Sequence, residues 1–416
     1  LKYLIDKAHQ AGLGVLMDWV PAHFTRDEYG LAAFDGGSLY EHPDPRRADM
    51  RQWGTLLFDY GRPEVQSFLI SSAVYWLEEY HLDGLRVDAV SCMLYMDFGR
   101  KGGDYLPNIH GGREDLGAIS LFKKLSSAVH ALPGRKLLIA EESTAFPMVT
   151  NKHGAESLGF DFKWNMGWMN DMLSYMELDP IARKWHHDKL TFSLTYAFSE
   201  YYLLPFSHDE VVHGKRSMLN KMPGDYNGKF AQLRLLYTYL MAHPGKKLTF
   251  MGMELGQFIE WRFGESLDWL LLEYPQHKAL QGFVRGLNWF YKEHPALWNR
   301  DDGWDGFAWC SVDDKDLSVV SFLRRSEEET LLCAFNFTPV ERPAYTMGIP
   351  LAGGYAPVFS TNPLPEAGGL YRPRPVPAMG HEYSLTVPLP PFGGVFFRLE
   401  EGVQSSVPSP SEDTVS

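Results

Sequence analysis

"GLRVDAV" at residues 84–90 places an arginine and an aspartate inside an otherwise apolar stretch of the chain. The stretch predicts a β-strand, and alternation along it would direct Arg86 and Asp88 to the same face. Burying charged groups is costly unless they are paired or hydrogen-bonded. A cation and a carboxylate that leave a strand end in the same direction therefore indicate a site at which the two act together.

The chain on both sides of this stretch alternates short apolar strands with amphipathic helices. Strands are predicted near residues 15, 85, 138, 162, 204 and 248. A helix that begins at Pro63 separates the first two of them, with apolar residues at helical spacing as far as Tyr80. This alternation is typical of parallel βα units. By itself it is compatible with a doubly wound sheet or with part of a (β/α)8 barrel.

The pattern changes near residue 305, where helical periodicity ends. Short alternating or apolar stretches, separated by turns rich in Gly and Pro, predict a small antiparallel β-sandwich domain at residues 305–400. Residues 401–416 contain too few apolar side chains to pack and are predicted to be disordered. The predicted organisation is therefore a βα domain at residues 1–304, a β-domain at 305–400 and a tail.

Composition excludes several classes of protein. The 416-residue chain has a formal net charge of −13 and no basic run, so nucleic acid is not an expected partner. Its longest apolar stretches fall short of the roughly 20 residues that a membrane-spanning helix needs, so we expect no membrane partner. Cys92, Cys310 and Cys333 lack paired spacing. This argues against a disulfide framework or a structural zinc site and fits a reducing compartment.

Polar side chains recur where the predicted strands end. They are Asp18 and His23 after the first strand, Arg86 and Asp88 on the second, Glu141 and Glu142 after the third, and His208 and Asp209 after the strand near residue 204. Each residue alone could be a helix cap, an ion-pair partner or a solvated strand end. Recurrence on four strands instead favours one shared site, because the carboxyl ends of barrel strands meet at one rim.

Hydrolysis or transfer of a glycosidic bond requires this set of side chains. One carboxylate attacks the anomeric carbon and a carboxylic acid protonates the leaving oxygen; in retaining enzymes the two lie about 5–5.5 Å apart. An arginine beside the nucleophile keeps it ionised. Glu141 and Glu142 are adjacent in a strand and must point to opposite faces, so only one of them can enter the site. Alternation alone leaves open which one.

Four stretches together resemble the signature regions of the α-amylase superfamily of glycoside hydrolases. They are "DWVPAHF" (18–24), "GLRVDAV" (84–90), "AEEST" (140–144) and "FSHDE" (206–210). Longer stretches resemble the glycogen branching enzymes within that superfamily, namely "KWNMGWMND" (163–171), "LPFSHDEVVHGK" (204–215) and "AHPGKKLTFMGMELGQ" (242–257). The resemblance covers residues 1–400 and implies a (β/α)8 TIM barrel followed by the β-domain.

The resemblance also implies a role for each residue at the strand ends. Asp88 matches the nucleophile, Glu141 the general acid/base, and Asp209 a third catalytic carboxylate. The substrate-binding residues around the bound glucose are matched by Asp18, His23, Arg86 and His208. The implied reaction is a retaining double displacement that cleaves an α-1,4-glucosidic bond and transfers the glucan to a 6-hydroxyl, which forms an α-1,6 branch.

The resemblance further implies the partners of the protein. The expected substrate is an α-glucan such as glycogen or amylose. Amylases of this superfamily carry a calcium-binding asparagine where this chain has Ala22, so we expect no bound metal, and no cofactor is implied. Because glycogen is an intracellular polymer in the resembling family, a cytoplasmic location is expected. A monomer is the expectation for a full-length protein.

The first signature region lies on the third barrel strand of the resembling family, whereas this chain reaches it at residue 18. We therefore expect a barrel that lacks its first two βα units, as in a fragment of a longer protein. Two alternatives to a branching enzyme stay open: an α-glucan hydrolase of the same superfamily, and an inactive glucan-binding fragment. A nucleotide-binding enzyme is disfavoured, because neither GxGxxG nor GxxxxGK[ST] follows the first strands.

Overall fold

A computed structural model describes residues 1–363 and 369–401, with residue 401 described by its backbone only. The chain divides into two compact units. The first comprises Leu1–Gly167 and Ser199–Pro205, and the second comprises Trp168–Phe198 and the described residues from Phe206 onward. The domain boundary predicted at residue 304 lies inside the second unit and stays a prediction. The predicted disordered tail, apart from residue 401, lies outside the described residues.

The first unit is built from short strands and longer helices. Its strands are β1 (Leu16–Trp19), β2 (Asp49–Met50), β3 (Thr55–Leu56), β4 (Gly84–Val87), β5 (Leu137–Ala140), β6 (Phe162–Trp164) and β7 (Tyr202–Phe206, whose last residue belongs to the second unit). Its helices are α1 (Lys2–Gln10), α2 (Pro45–Ala48), α3 (Pro63–Glu79), α4 (Val90–Leu94) and α5 (Leu116–His130).

Five of these strands form a parallel sheet in chain order, β1-β4-β5-β6-β7. Helix α3 connects β1 to β4 and α5 connects β4 to β5, which confirms the predicted βα units. Asp18 and Arg86 are register partners across β1 and β4, so their side chains point to the same face. At Gly84, an added Cβ would lie only 2.3 Å from the Leu137 carbonyl oxygen, so the start of β4 requires glycine.

The core of the first unit lies between the sheet and its helices. Leu85 and Val87 of β4 pack in the same buried cluster as Leu69 of α3 and Phe122 of α5. The apolar stripe of each helix thus covers a sheet whose strands are apolar on the helix side. None of the helices formed by the described residues is long and apolar enough to cross a membrane.

The second unit combines helices with antiparallel strands. Its helices are α6 (Met166–Met176, which begins in the first unit), α7 (Asp188–Thr191), α8 (Met218–Lys221), α9 (Tyr226–Ala242) and α10 (Pro275–Glu293). Its strands are β8 (Lys246–Thr249), β9 (Phe307–Ser311), β10 (Val319–Arg325), β11 (Thr330–Asn336), β12 (Arg342–Ile349), β13 (Gly354–Ser360), β14 (Tyr383–Leu389) and β15 (Gly393–Glu401).

The strands after residue 305 form two antiparallel sheets around one core. One sheet has the order β13-β15-β11-β10-β9 and the other pairs β12 with β14. Leu323 and Leu332 of the first sheet share a buried cluster with Met347 and Leu385 of the second. This arrangement confirms the predicted antiparallel β-sandwich.

Two buried arginines anchor the sandwich within the second unit. Arg183 donates to the carbonyl oxygens of Phe337 (2.8 Å) and Met176 (2.9 Å), and burial lowers its pKa to about 10. Arg324 donates to the Ala242 carbonyl oxygen (2.5 Å) and to Asp301 Oδ1 (2.6 Å). Because buried guanidinium groups need several acceptors, these contacts fix helical segments against the β-strands.

His243, at the end of α9, is fully buried in a neutral form. Its Nδ1 lies 2.9 Å from the Pro244 carbonyl oxygen, which can only accept, so Nδ1 donates and Nε2 accepts from Ser193 Oγ at 3.0 Å. Burial lowers the pKa of His243 to about 3, since a charged imidazole would be poorly solvated there.

We predict that the free energy of unfolding falls as the pH drops from 6.5 to 4, and that His243→Gln flattens this dependence. The folded state keeps His243 neutral down to about pH 3, whereas the unfolded chain binds a proton below about pH 6.5. Stability is therefore lost on acidification, by roughly 3 kcal/mol at pH 4 from this group. Urea unfolding across this range measures it.

The matched control is His186→Gln, since His186 is exposed in the same unit. Its pH profile should follow that of the unsubstituted chain. Parallel profiles for all three proteins would contradict the assignment of a neutral, buried His243.

Candidate active site

The guanidinium of Arg86 joins three carboxylates in the first unit. Its Nη1 lies 2.6 Å from Asp88 Oδ1 and 3.5 Å from Asp18 Oδ2, and its Nη2 lies 2.8 Å from Glu141 Oε2. The side chain of Arg86 is only 6% exposed, and its Cζ lies 4.3 Å from the centroid of the Trp164 ring. A planar fork of donors packed on an aromatic face has little freedom, so it holds Asp88 and Glu141 in fixed relative positions.

Backbone hydrogen bonds continue past the strand ends and fix the two carboxylates. The Asp88 N–H donates to the Trp19 carbonyl oxygen, and the Glu141 N–H donates to the Val87 carbonyl oxygen, each at 3.0 Å. Both residues thus extend the ladder of the parallel sheet by one position. The predicted placement of Asp88 and Glu141 at the carboxyl ends of adjacent strands is confirmed.

Ala89 turns the chain immediately after Asp88. It adopts the left-handed conformation (φ 50°, ψ 41°), and its N–H donates to Glu141 Oε2 at 2.8 Å. For a residue with a Cβ this conformation costs about 1–2 kcal/mol. Such strain is characteristic of functional sites, and here it supplies a second donor that orients Glu141.

His23 contacts the opposite side of Asp88. Its Nε2 lies 3.6 Å from Asp88 Oδ2, and its Nδ1 lies 2.9 Å from Thr55 Oγ1 on β3. The structure therefore brings together five of the seven predicted site residues in the first unit, namely Asp18, His23, Arg86, Asp88 and Glu141.

The other two predicted residues, His208 and Asp209, lie in the second unit. They open a short 3-10 helix, His208–Val211, and His208 Nε2 lies 3.4 Å from Asp209 Oδ1. Ser207 caps this helix, and the Glu210 side chain accepts from the Ser207 N–H at 2.7 Å. Because Ser207 provides the cap, the carboxylate of Asp209 is not used as one.

Glu142 points away from Glu141, as strand alternation requires. It is fully buried, its Oε2 lies 2.5 Å from Lys163 Nζ, and its Oε1 accepts from Ser91 Oγ (3.0 Å) and the Thr144 N–H (2.8 Å). Alternation left open which glutamate accompanies Arg86, and the structure identifies it as Glu141. Lys163 was not singled out from the sequence, although a lysine at the centre of a predicted strand is the signal that could have identified it.

The cysteine nearest the site is unreactive. Burial, together with the nearby negative charges of Asp88 and Glu141, raises the pKa of Cys92 to about 12. Its Sγ donates to the Ala89 carbonyl oxygen at 3.0 Å. All three cysteines of the chain are buried and free.

Comparison with known proteins identifies close relatives over most of the chain. The chain is 51% identical over 405 residues to the 1,4-alpha-glucan branching enzyme GlgB of Cellvibrio japonicus. The alignment covers 96% of this chain and 55% of that protein. It is 53% identical over 407 residues to GlgB of Methylobacillus flagellatus, with 96% and 56% covered. Over nearly its whole length the chain is therefore similar to proteins named as branching enzymes. It spans about half the length of the curated relatives it matches.

Two further kinds of comparison concern the C-terminal domain and the fold. Residues 309–400 match the family described as the C-terminal all-beta domain of alpha amylase. The α-amylase of Anoxybacillus has the same fold, with a TM-score of 0.67 at 17% identity, over 96% of this chain and 78% of that one. The α-amylase of Geobacillus thermoleovorans gives a TM-score of 0.63 at 17% identity, over 96% and 80%. The predicted fold class is confirmed.

We predict that Lys163→Met lowers the free energy of unfolding by about 3–5 kcal/mol, because it leaves the buried charge of Glu142 unpaired. Adding Glu142→Gln to this variant should cost little more, since the interaction is already lost. Urea unfolding of the two single variants and the double variant measures the coupling.

Lys2→Met is the matched control, since Lys2 and Glu79 form an ion pair at 3.6 Å with both side chains about 60% exposed. Its effect should be below about 1 kcal/mol. Additive losses for Lys163→Met and Glu142→Gln would show that the buried pair is not coupled.

Proposed function

We propose that this chain carries the catalytic region of a 1,4-α-glucan branching enzyme, a glycosyltransferase that acts on glycogen or amylose. The proposal rests mainly on Arg86, which contacts Asp88 and Glu141 from adjacent strand ends through one guanidinium. Two carboxyl groups held close together suit a retaining mechanism, in which they lie about 5–5.5 Å apart. The named function of the relatives provides the substrate and the bond that is formed.

The first half of the reaction transfers a glucan to the protein. In our proposal, a carboxylate oxygen of Asp88 attacks the anomeric carbon of an α-1,4-linked glucose. The carboxyl group of Glu141 gives its proton to the departing 4-oxygen, and the glycosidic bond breaks. The products are a covalent glucosyl ester on Asp88, an ionised Glu141 and a shortened glucan with a free 4-hydroxyl.

The second half moves that glucan to an acceptor. Glu141 removes the proton of a glucan 6-hydroxyl, whose oxygen attacks the anomeric carbon and displaces Asp88. Two inversions give net retention, so the new α-1,6 bond has the configuration of the bond that was cleaved. Arg86 orients both carboxyl groups throughout, and the Ala89 N–H makes a second contact with Glu141 Oε2.

The remaining predicted residues are proposed to bind the substrate. Asp18 and His23 flank Arg86 and Asp88 and can hydrogen-bond glucose hydroxyls. For Asp209 and His208 the proposal rests on the resemblance, which gives Asp209 the role of third carboxylate. We also propose that residues 1–304 form the catalytic domain and residues 305–400 a separate β-domain, as the family match to residues 309–400 suggests. A cytoplasmic monomer is part of the same proposal.

Incubation with amylose tests the proposal. We expect iodine colour to fall while the number of reducing ends stays constant, because transfer conserves glycosidic bonds whereas hydrolysis does not. Asp88→Asn and Glu141→Gln should abolish the change. Glu142→Gln should reduce it less per folded molecule, since Glu142 faces away from Arg86.

The other outcomes are equally informative. Reducing ends that rise with the loss of colour would identify an α-glucan hydrolase. A greater loss with Glu142→Gln than with Glu141→Gln would overturn the assigned acid/base. If neither signal changes, this chain is inactive and the proposal fails.

Arg86→Lys tests the geometry independently of the choice of nucleophile. A single ammonium cannot hold Asp88 and Glu141 as the planar guanidinium does, although the positive charge is retained. We expect turnover of amylose to fall by on the order of a hundredfold, because small misplacements of reacting groups have effects of that size. Unchanged turnover in the Lys variant would show that charge alone suffices.

A further inference from the structure

A cavity of about 240 Å³ lies in the first unit beside the residues just described. Residues 49–53, on and after β2, form one wall, and residues 98–101 with Asp104 form the other. Clefts that enclose drug-sized ligands are usually about 300–1,000 Å³. The smaller volume of this cavity is suited to a ligand of one sugar ring.

The aromatic wall of the cavity is formed by Trp53 and Phe98. Their rings are stacked with 6.4 Å between centroids and an interplanar angle of 10°, yet Trp53 remains 45% exposed. The Trp53 ring also makes a T-shaped contact with the His23 ring, at 5.4 Å between centroids and an angle of 64°. His23 in turn contacts Asp88, so a single side chain separates the cavity wall from the proposed nucleophile.

Trp53 is held on a rigid hairpin between β2 and β3. The Trp53 and Gly54 N–H groups both donate to the Met50 carbonyl oxygen, at 3.1 and 2.8 Å, and Gly54 closes the turn with a φ of 70°. Phe24 and Leu56 exchange two backbone hydrogen bonds of 2.8 Å, which tie the hairpin to the segment after β1. The exposure of Trp53 is therefore a property of a fixed backbone, and its ring is preorganised for a ligand.

Charged side chains line the rim of the same cavity. Arg51 Nη1 lies 2.9 Å from Asp104 Oδ2, and Arg100 Nη2 donates to the Asp49 carbonyl oxygen at 2.8 Å. Both arginines thus already have acceptors. A guanidinium donates and a carboxylate accepts, so the Arg51–Asp104 pair can bind neighbouring hydroxyl groups of a sugar.

We propose that this cavity binds one glucosyl unit of an α-1,4-glucan, with Trp53 stacked on the apolar face of the ring. Arg51 and Asp104 hydrogen-bond to its hydroxyls, and the adjoining glucose units of the same chain extend past His23 towards Asp88. The assignment rests on the proposed function for its ligand class. The cavity would add binding energy away from the reacting bond.

The test measures the affinity of maltoheptaose by titration calorimetry, in an Asp88→Asn background that prevents turnover. We expect Trp53→Ala to raise the dissociation constant about five- to tenfold, a size typical of aromatic stacking, with Trp53→Phe in between. Arg51→Gln, at a side chain that is 66% exposed, should raise it about threefold and provides a second variant that does not alter the hairpin. Trp185→Ala, at an exposed residue of the second unit, is the matched control.

A kinetic measurement separates binding from chemistry. In the chain with Asp88 intact, Trp53→Ala should raise KM for short maltooligosaccharides and leave kcat nearly unchanged, since the stack is equally present in ground and transition states. An equal fall of kcat and kcat/KM would overturn the subsite and indicate a disturbed catalytic geometry.

The outcomes distinguish failure of the subsite from failure of the proposed function. If the Asp88→Asn chain binds maltoheptaose and both Trp53→Ala and Arg51→Gln leave the affinity unchanged, the subsite is wrong and the proposed function stands. If that chain does not bind maltoheptaose at all, the subsite and the proposed function both fail. Weakened binding in both variants, with the Trp185→Ala control unchanged, supports the subsite.

Discussion

The contacts of one buried guanidinium determine the geometry at the carboxyl ends of the strands of the first unit. Arg86 has almost no solvent access, so its charge must be compensated by protein groups, and the contacts come from β1, β4 and β5. The carboxylates reach the guanidinium of Arg86 only if the three strands are in the observed register. The same interaction therefore makes the parallel sheet specific and brings Asp88 close to Glu141. The strained conformation of Ala89 is tolerated because its N–H contributes to this arrangement.

A second buried charge pair lies on the opposite face of the chain that follows β5. Two consecutive glutamates there have different environments, because successive side chains of an extended segment point in opposite directions. Glu141 is partly exposed and meets Arg86, whereas Glu142 is fully buried and meets Lys163 of β6. Ser91 and Thr144 also donate hydrogen bonds to the carboxylate of Glu142. The buried Glu142–Lys163 ion pair thus fixes the backbone segment that carries Glu141.

Local pattern predicted the βα units, the β-sandwich and the strand-end cluster, because each depends on alternation along a strand or on short signature stretches. What alternation could not predict depends on contacts between distant segments. The Lys163–Glu142 pair joins two strands, and the left-handed backbone of Ala89 has no signal in a residue type that usually avoids it. Likewise, Arg183 donates to the Phe337 carbonyl oxygen, which ties the segment before β7 into the second unit. The spacing of residues in the sequence does not predict such a contact.

In the proposed reaction, transfer and hydrolysis begin with the same covalent intermediate, so the proposed catalytic carboxylates cannot by themselves decide between them. The decision depends on whether a sugar hydroxyl or water reaches the anomeric carbon first. Binding energy far from that carbon can keep a glucan in place long enough for transfer. The hairpin that carries Trp53 is suited to this task, since it is rigid, bears an exposed aromatic ring and connects to Asp88 through His23. Residues outside the four signature stretches would then determine the outcome of the reaction that we propose for those stretches.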